Sequence, residues 1–224
     1  MSRGIRSYVL RQGRTTPAQQ RALEELWPAY GISFAAAPLN AQEVFGRAAP
    51  LVLEVGSGMG ETTFAIAAAH PETDFIAVEV HPPGVGSLLN RIAAGGLRNL
   101  RVIRHDAVEV LEHMIPEGSL AGLHVFFPDP WPKKRHHKRR LLQPPFVALA
   151  ARRLKPGGVL HAATDWPDYA DQIAAVLAAE PLLEPAPRGL VERPATKFEA
   201  RGVRLGHPIR DFYFRRRETG PAGR

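Results

Sequence analysis

The chain has 224 residues, 45% of them hydrophobic, which is enough to bury one substantial core with a short appendage. Its formal net charge is +7, from 29 Lys and Arg against 22 Asp and Glu, and it has no cysteine, which excludes disulfides, thiolate catalysis and Cys-type zinc sites. The opening MSRGIRSYVLRQGR has no apolar signal core, and no run approaches the ~20 apolar residues that a membrane span needs, so a soluble, cytoplasmic protein without a membrane partner is expected.

Residues 1–14 carry four arginines among isolated apolar side chains, the composition of an arm ordered by what it touches. Thr16-Pro17-Ala18-Gln19 predicts a capped helix start, with Thr16 as N-cap, Pro17 at the first helical position and Gln19 completing a capping box. That helix should run to Leu26 or Trp27, since Pro28 discourages continuation, and residues 30–49 read as a connection. Strands are predicted at Leu51–Val55, Phe75–Val80, Leu100–Ile103, Leu123–Phe127, Val159–Ala163 and Asp211–Phe214. Helices are predicted between them at Thr62–Ala69, Val85–Ala94, Ala107–Met114, Pro145–Leu154 and Tyr169–Ala179.

This alternation predicts an α/β fold with a doubly wound, mostly parallel sheet, helices on both faces, and a last strand that runs antiparallel at or near the edge. An N-terminal arm and helix, residues 1–49, would pack on a main domain at 50–217, followed by a flexible tail at 218–224.

The first strand, Leu51–Val55, runs into Gly56-Ser57-Gly58-Met59-Gly60, a turn in which Gly56, Gly58 and Gly60 let a ligand lie against bare backbone. The third glycine comes one residue too early for the dinucleotide fingerprint, and the phosphate-loop motif is absent. Glu54, inside the strand, would repel a pyrophosphate, and its burial costs on the order of several kcal/mol unless a cation or hydrogen-bond donor meets it. The ammonium of an amino-acid moiety would serve. Glu79 closes the second strand, where an acid commonly grips ribose hydroxyls, and Asp106 follows the third, placed to accept from an adenine amino group. Asp106 is equally suited to capping the helix after it. Three carboxylates at three successive strand ends suit S-adenosyl-L-methionine as the cofactor.

The fourth strand ends in Pro128-Asp129-Pro130-Trp131-Pro132, whose alternate prolines forbid helix and ladder alike and present Asp129 and Trp131 on a rigid turn. Next come Lys133 to Arg140, eight residues with six cations and two histidines, a match for phosphates and expected to be mobile without a polyanion. Trp131 could stack on a base or plug the loop. No H-E-x-x-H pair is present and the histidines are scattered, so no metal is predicted.

The Gly-rich loop with acidic strand ends resembles the Rossmann-like S-adenosylmethionine-dependent methyltransferases. Within them, the stretches Arg6–Arg14, Glu79-Val80-His81, Pro83–Ser87, Phe127–Trp131, Lys133–Arg140, Thr164-Asp165-Trp166 and Thr196–Glu199 are similar, in order, to the bacterial tRNA (guanine-N7-)-methyltransferases. The resemblance implies cofactor binding by Glu54, Glu79, Asp106 and Asp129, with Asp129 also catalytic. It implies substrate contacts from Lys133, Asp165, Thr196, Lys197, Phe198 and Glu199, and tRNA contacts from Arg135, His136, His137, Lys138, Arg139 and Arg140. The reaction it implies is methylation of N7 of a variable-loop guanine in tRNA, by a monomer or a homodimer. The alternatives are a non-catalytic RNA-binding protein of the same fold, another nucleobase methyltransferase, whose Asp/Asn-Pro-Pro-aromatic turn has one more residue than the turn here, and an NAD-dependent oxidoreductase, opposed by the glycine spacing and Glu54.

Overall fold

The structure is a computed structural model that describes residues 7–8, 13–187 and 208–218. The expected contacts at Thr196, Lys197, Phe198 and Glu199 lie outside the described residues.

Helix α1 (Pro17–Glu25) begins as its sequence dictates: the Thr16 hydroxyl accepts from the Gln19 N–H at 3.2 Å, and the Gln19 side chain accepts from the Thr16 N–H at 2.9 Å. Pro28 does not end helical structure. It sits in the first turn of a second short helix, α2 (Trp27–Tyr30), where its missing N–H would have had no partner. The stretch expected as a connection also holds β1 (Gly31–Ile32) and α3 (Ala41–Phe45), both too short to show a hydrophobic period.

The remaining elements are β2 (Leu51–Val55), α4 (Glu61–Ala69), β3 (Asp74–Val78), α5 (Pro82–Gly95), β4 (Leu100–Ile103), α6 (Ala107–His113), β5 (Leu120–Phe126), a 3-10 helix (Lys134–Arg139), α7 (Pro144–Arg153), β6 (Leu154–Thr164), α8 (Pro167–Ala179), β7 (Leu183–Pro185) and β8 (Arg210–Arg216). They form one sheet in the order β1-β4-β3-β2-β5-β6-β8-β7, parallel except where β8 pairs antiparallel with β6 and β7. The antiparallel strand stands next to the edge, because an unforeseen strand, β7, covers it and takes the edge itself. Lys155-Pro156-Gly157-Gly158 lies within β6, where pairing with β5 jumps from Leu120↔Leu154 to Gly122↔Val159.

Alternation along each strand splits the core in two. Leu51, Leu53 and Val55 pack with Val110, Phe146, Tyr169 and Ile173 of α6, α7 and α8, while Val52, Phe75, Ala77 and Val102 pack with Ala22, Ile66, Leu88 and Ile92 of α1, α4 and α5. Glycine allows a close helix contact: a Cβ on Gly86 of α5 would lie 2.6 Å from the Gln19 carbonyl oxygen of α1. No helix among the described residues is long and apolar enough to cross a membrane. Chain order runs outward from β2 to β3 and β4 on one side and from β5 to β6 on the other, so the sheet reverses between β2 and β5. At such a switch point the loops diverge and leave a crevice at the carboxyl ends of the strands.

Candidate active site

The crevice is walled by the segments that leave the carboxyl ends of β2, β3 and β5. After β2 the backbone of Gly56, Gly58 and Gly60 takes φ of 75, 56 and 78°, a region in which a side chain is strained. A Cβ on Gly56 or Gly58 would meet nothing within 4 Å, so these two leave open space beside bare peptide, whereas one on Gly60 would lie 2.6 Å from Leu88. Sequence reasoning assigned no role to Gly84, yet a Cβ there would sit 2.4 Å from the Gly58 carbonyl oxygen.

Two cavities share a wall made by Glu79, His81 and Asp129. The larger, of about 620 Å³, runs past Gly13, Gly58, Met59, Gly84 and Trp131. The smaller, of about 190 Å³, has apolar sides from Val55, Val78, Phe126 and Leu141, with Asp106 at its margin. This pairing fits S-adenosyl-L-methionine: an apolar slot with acceptors at its rim for an adenosine, continuing into an open glycine cradle.

β3 ends at Val78, two residues earlier than predicted, because Glu79 turns its side chain back onto the backbone. One carboxylate oxygen accepts from the Gly58 N–H at 2.8 Å, and the other accepts from the N–H groups of Val80 and His81 at 2.7 and 2.9 Å. Glu79 thus ties the glycine loop to the start of α5 and still lines both cavities. Asp106 also does two things: it caps α6, accepting from the Val108 N–H at 2.9 Å, and it borders the smaller cavity. Glu54 is buried on β2, on the α4 and α5 side of the sheet, and is not among the residues lining either cavity.

β5 stops one residue short of the predicted end, since Phe127 takes a φ of 50°. Trp131 takes 45°, so the Pro-Asp-Pro segment is held between two strained residues. The Trp131 indole donates to the Ser7 carbonyl at 3.1 Å, the Arg139 guanidinium lies 5.1 Å over its ring, and the His136 ring meets it edge-on at 5.9 Å. Trp131 is packed in this way and also lines the larger cavity. Ser7, Tyr8 and Gly13 bring the N-terminal segment onto the cavities.

The basic block is in part regular structure. Its Lys134–Arg139 portion is a 3-10 helix, closed by i→i+3 bonds from the His136 and Arg140 N–H groups to the carbonyls of Lys133 and His137. Lys133, Lys134, Arg135 and Lys138 are exposed, and His136, His137 and Arg139 are half-buried. The His136 ring loses water and also feels Arg135, Arg139, Lys133 and Lys138, so it is held below the usual imidazole range. Arg140, one of the expected tRNA contacts, is only 2% exposed, and its guanidinium bonds to Pro130, Asp168 and Gln172. Asp168 is in turn lowered, chiefly by that Arg140 bond. Asp165 is half-buried after β6 on the same rim, outside the walls of both cavities. Among the described residues no group of three or more His, Asp or Glu side chains could hold a metal ion.

Residues 48–212 match the family described as "Putative methyltransferase". The solved antibiotic-resistance methyltransferase Kmr superposes with a TM-score of 0.55 at 19% identity, covering 84% of this chain and 96% of that one. The 16S rRNA methyltransferase KamB does so with 0.54 at 18%, covering 78% and 92%. Fold and family match together define a Rossmann-like methyltransferase. The tRNA (guanine-N(7)-)-methyltransferase of Aromatoleum aromaticum is 61% identical over 220 residues, 96% of this chain and 85% of the relative. That of Nitrosomonas eutropha is 60% identical over 215 residues, 94% and 96% of the two chains. The chain belongs to the tRNA (guanine-N(7)-)-methyltransferase family.

Proposed function

We infer that this protein transfers a methyl group from S-adenosyl-L-methionine to N7 of a guanine in tRNA, in the cytoplasm, and that the target is the variable-loop guanine. The observation that carries this reading is likeness over nearly the whole chain to tRNA (guanine-N(7)-)-methyltransferases, at 61% identity. A crevice at the switch point, flanked by an exposed basic helix, is what such a reaction needs.

Bound S-adenosyl-L-methionine supplies a sulfonium methyl that a nitrogen lone pair can attack directly. Guanine N7 carries an unprotonated in-plane lone pair at neutral pH, so no base has to remove a proton first. The work left to the protein is alignment and stabilisation of the cationic purine that forms. We assign alignment of the cofactor to the Gly56–Gly58 cradle and to Glu79 and Asp106, with Glu54 beneath the loop. Asp129, on the wall shared by the two cavities, accepts from the guanine N1–H and N2–H edge and opposes the developing charge. Lys133, Asp165 and the segment Thr196, Lys197, Phe198 and Glu199 are assigned to the substrate. Arg135, His136, His137, Lys138 and Arg139 are assigned to tRNA phosphates.

The test is incubation of the protein with labelled S-adenosyl-L-methionine and unmodified tRNA, then nucleoside analysis and mapping. Label in 7-methylguanosine at the variable loop is expected. Binding of tRNA without transfer would favour the non-catalytic reading, and label at another nucleoside would favour a different base methyltransferase.

A further inference from the structure

Arg140 closes the basic block in sequence but not in space. Its side chain is 1% exposed, against 64% for its ion-pair partner Asp168. Nε donates to the Pro130 carbonyl at 2.8 Å and Nη1 to the Gln172 side-chain oxygen at 2.8 Å, while Nη2 meets Asp168 and the His137 ring nitrogen. The guanidinium lies 4.8 Å over the Tyr169 ring, whose hydroxyl accepts from the Leu142 N–H at 3.0 Å. The planar fork is therefore occupied by the protein on every side that makes these bonds, and a phosphate would have to displace them.

The elements so joined matter more than the burial. Pro130 succeeds Asp129 directly, and its carbonyl belongs to the peptide that enters the strained Trp131. Asp168 and Gln172 lie on α8, which begins two residues after Asp165. We propose that Arg140 is a positioning residue that fixes the Asp129 turn against the start of α8, holding the carboxylate on the cavity wall in register with the substrate. This rests on the methyltransferase reading of the site and reassigns one residue of the basic block from tRNA binding to alignment.

The experiment compares Arg140→Lys, Asp168→Asn and Arg135→Ala with the wild type, by steady-state methyl transfer to tRNA over a salt series and by hydrogen exchange in the peptide covering residues 126–134. Arg140→Lys keeps the charge and loses the fork, so kcat is expected to fall by roughly 10- to 100-fold, as for a small misplacement of a reacting group. KM for tRNA and the slope of log affinity against log salt should stay unchanged, and exchange in the turn should quicken. Asp168→Asn removes a negative charge beside the block and would strengthen tRNA binding if electrostatics alone mattered; it is expected instead to lower kcat and quicken the same exchange. Arg135→Ala should reverse the pattern, with the salt slope reduced by about 0.7 to 0.9 and the exchange unchanged. A reduced salt slope with normal kcat in Arg140→Lys would make it a phosphate contact and overturn the proposal, as would unaltered exchange in both variants. Should Arg140→Lys not fold, Asp168→Asn decides alone, normal kcat and exchange overturning it. A wild type inactive on tRNA would defeat the functional reading, while the exchange measurement would still decide the positioning role.

Discussion

A carboxylate that accepts three backbone N–H groups, as Glu79 does, is fixed in one rotamer, and replacing one acceptor by a donor is felt at once. Glu79→Gln places an amide NH₂ against a backbone N–H whichever way the group is turned. The glycine loop should loosen, and calorimetric titration should show weakened cofactor binding with tRNA affinity unchanged; equal losses for both ligands would move Glu79 out of the cofactor site. At Asp129 the expectation is different, because its carboxylate stands on the cavity wall in a turn whose shape is set by its neighbours. Asp129→Ala should keep the thermal midpoint of the wild type and lose about 10²- to 10³-fold in methyl transfer, the usual worth of a group aimed at developing charge. Near-normal turnover in labelled transfer assays would remove it from the chemistry.

The basic 3-10 helix is an element whose charge is plain in the sequence and whose shape is not. Six cations in eight residues announce a polyanion partner, but nothing in that composition says that Arg140 points inward, because its partners Asp168 and Gln172 lie 28 and 32 residues away. The same reason hides Arg47, which donates to the buried Asp74 at 3.0 and 2.6 Å across 27 residues. Local signals are legible: the Thr16 capping box, the Leu51–Val55 strand, the Gly56–Gly60 turn and the Leu100–Ile103 strand stand where hydrophobic period and turn chemistry put them. Short elements such as β1 and β7 escape sequence reasoning because two or three residues carry no period and owe their form to the strands they pair with. With Arg140 withdrawn, three cations of the helix, Arg135, Lys138 and Arg139, are assigned to phosphates. Replacing all three by Ala should reduce the salt slope of tRNA binding by about 2 to 3 and leave cofactor affinity alone. Filter binding across a salt series measures this, and an unchanged slope would transfer the role to other arginines of the chain.

Across the whole molecule, the centre of the sheet carries a polar seam that the mechanism does not use. His124 of β5 and His161 of β6 lie side by side, each with a buried Nδ1 that has no partner among the described residues, and His161 bonds Asp211 at 2.7 Å while stacking on Tyr213 at 4.1 Å. Burial first, and the neighbouring His161 second, push His124 down from 6.5 to about 3. The unfolded chain takes up this proton below about pH 6.5 and the native protein only near 3, so the stability it contributes is complete above 6.5 and is lost as pH falls, at about 1.4 kcal/mol per unit. Between pH 7 and 5 the wild type should therefore lose about 2 kcal/mol more than His124→Gln in denaturant titrations. Parallel losses in the two proteins would show that His124 takes up its proton equally in the folded and the unfolded chain.

The bond from the Trp131 indole to the Ser7 carbonyl makes the active-site turn readable by light. A half-buried indole whose N–H is held by a carbonyl, beneath a guanidinium, emits differently from one released to water. The chain has three tryptophans, so a Trp27→Phe/Trp166→Phe variant leaves this single emitter. Adding tRNA should shift its emission to longer wavelength if the incoming nucleic acid lifts residue 7 from the turn, and deletion of residues 1–8 should produce the shifted spectrum in advance. The time course of that colour change would then track docking of the substrate on a clock separate from methyl transfer, with no label attached to either partner.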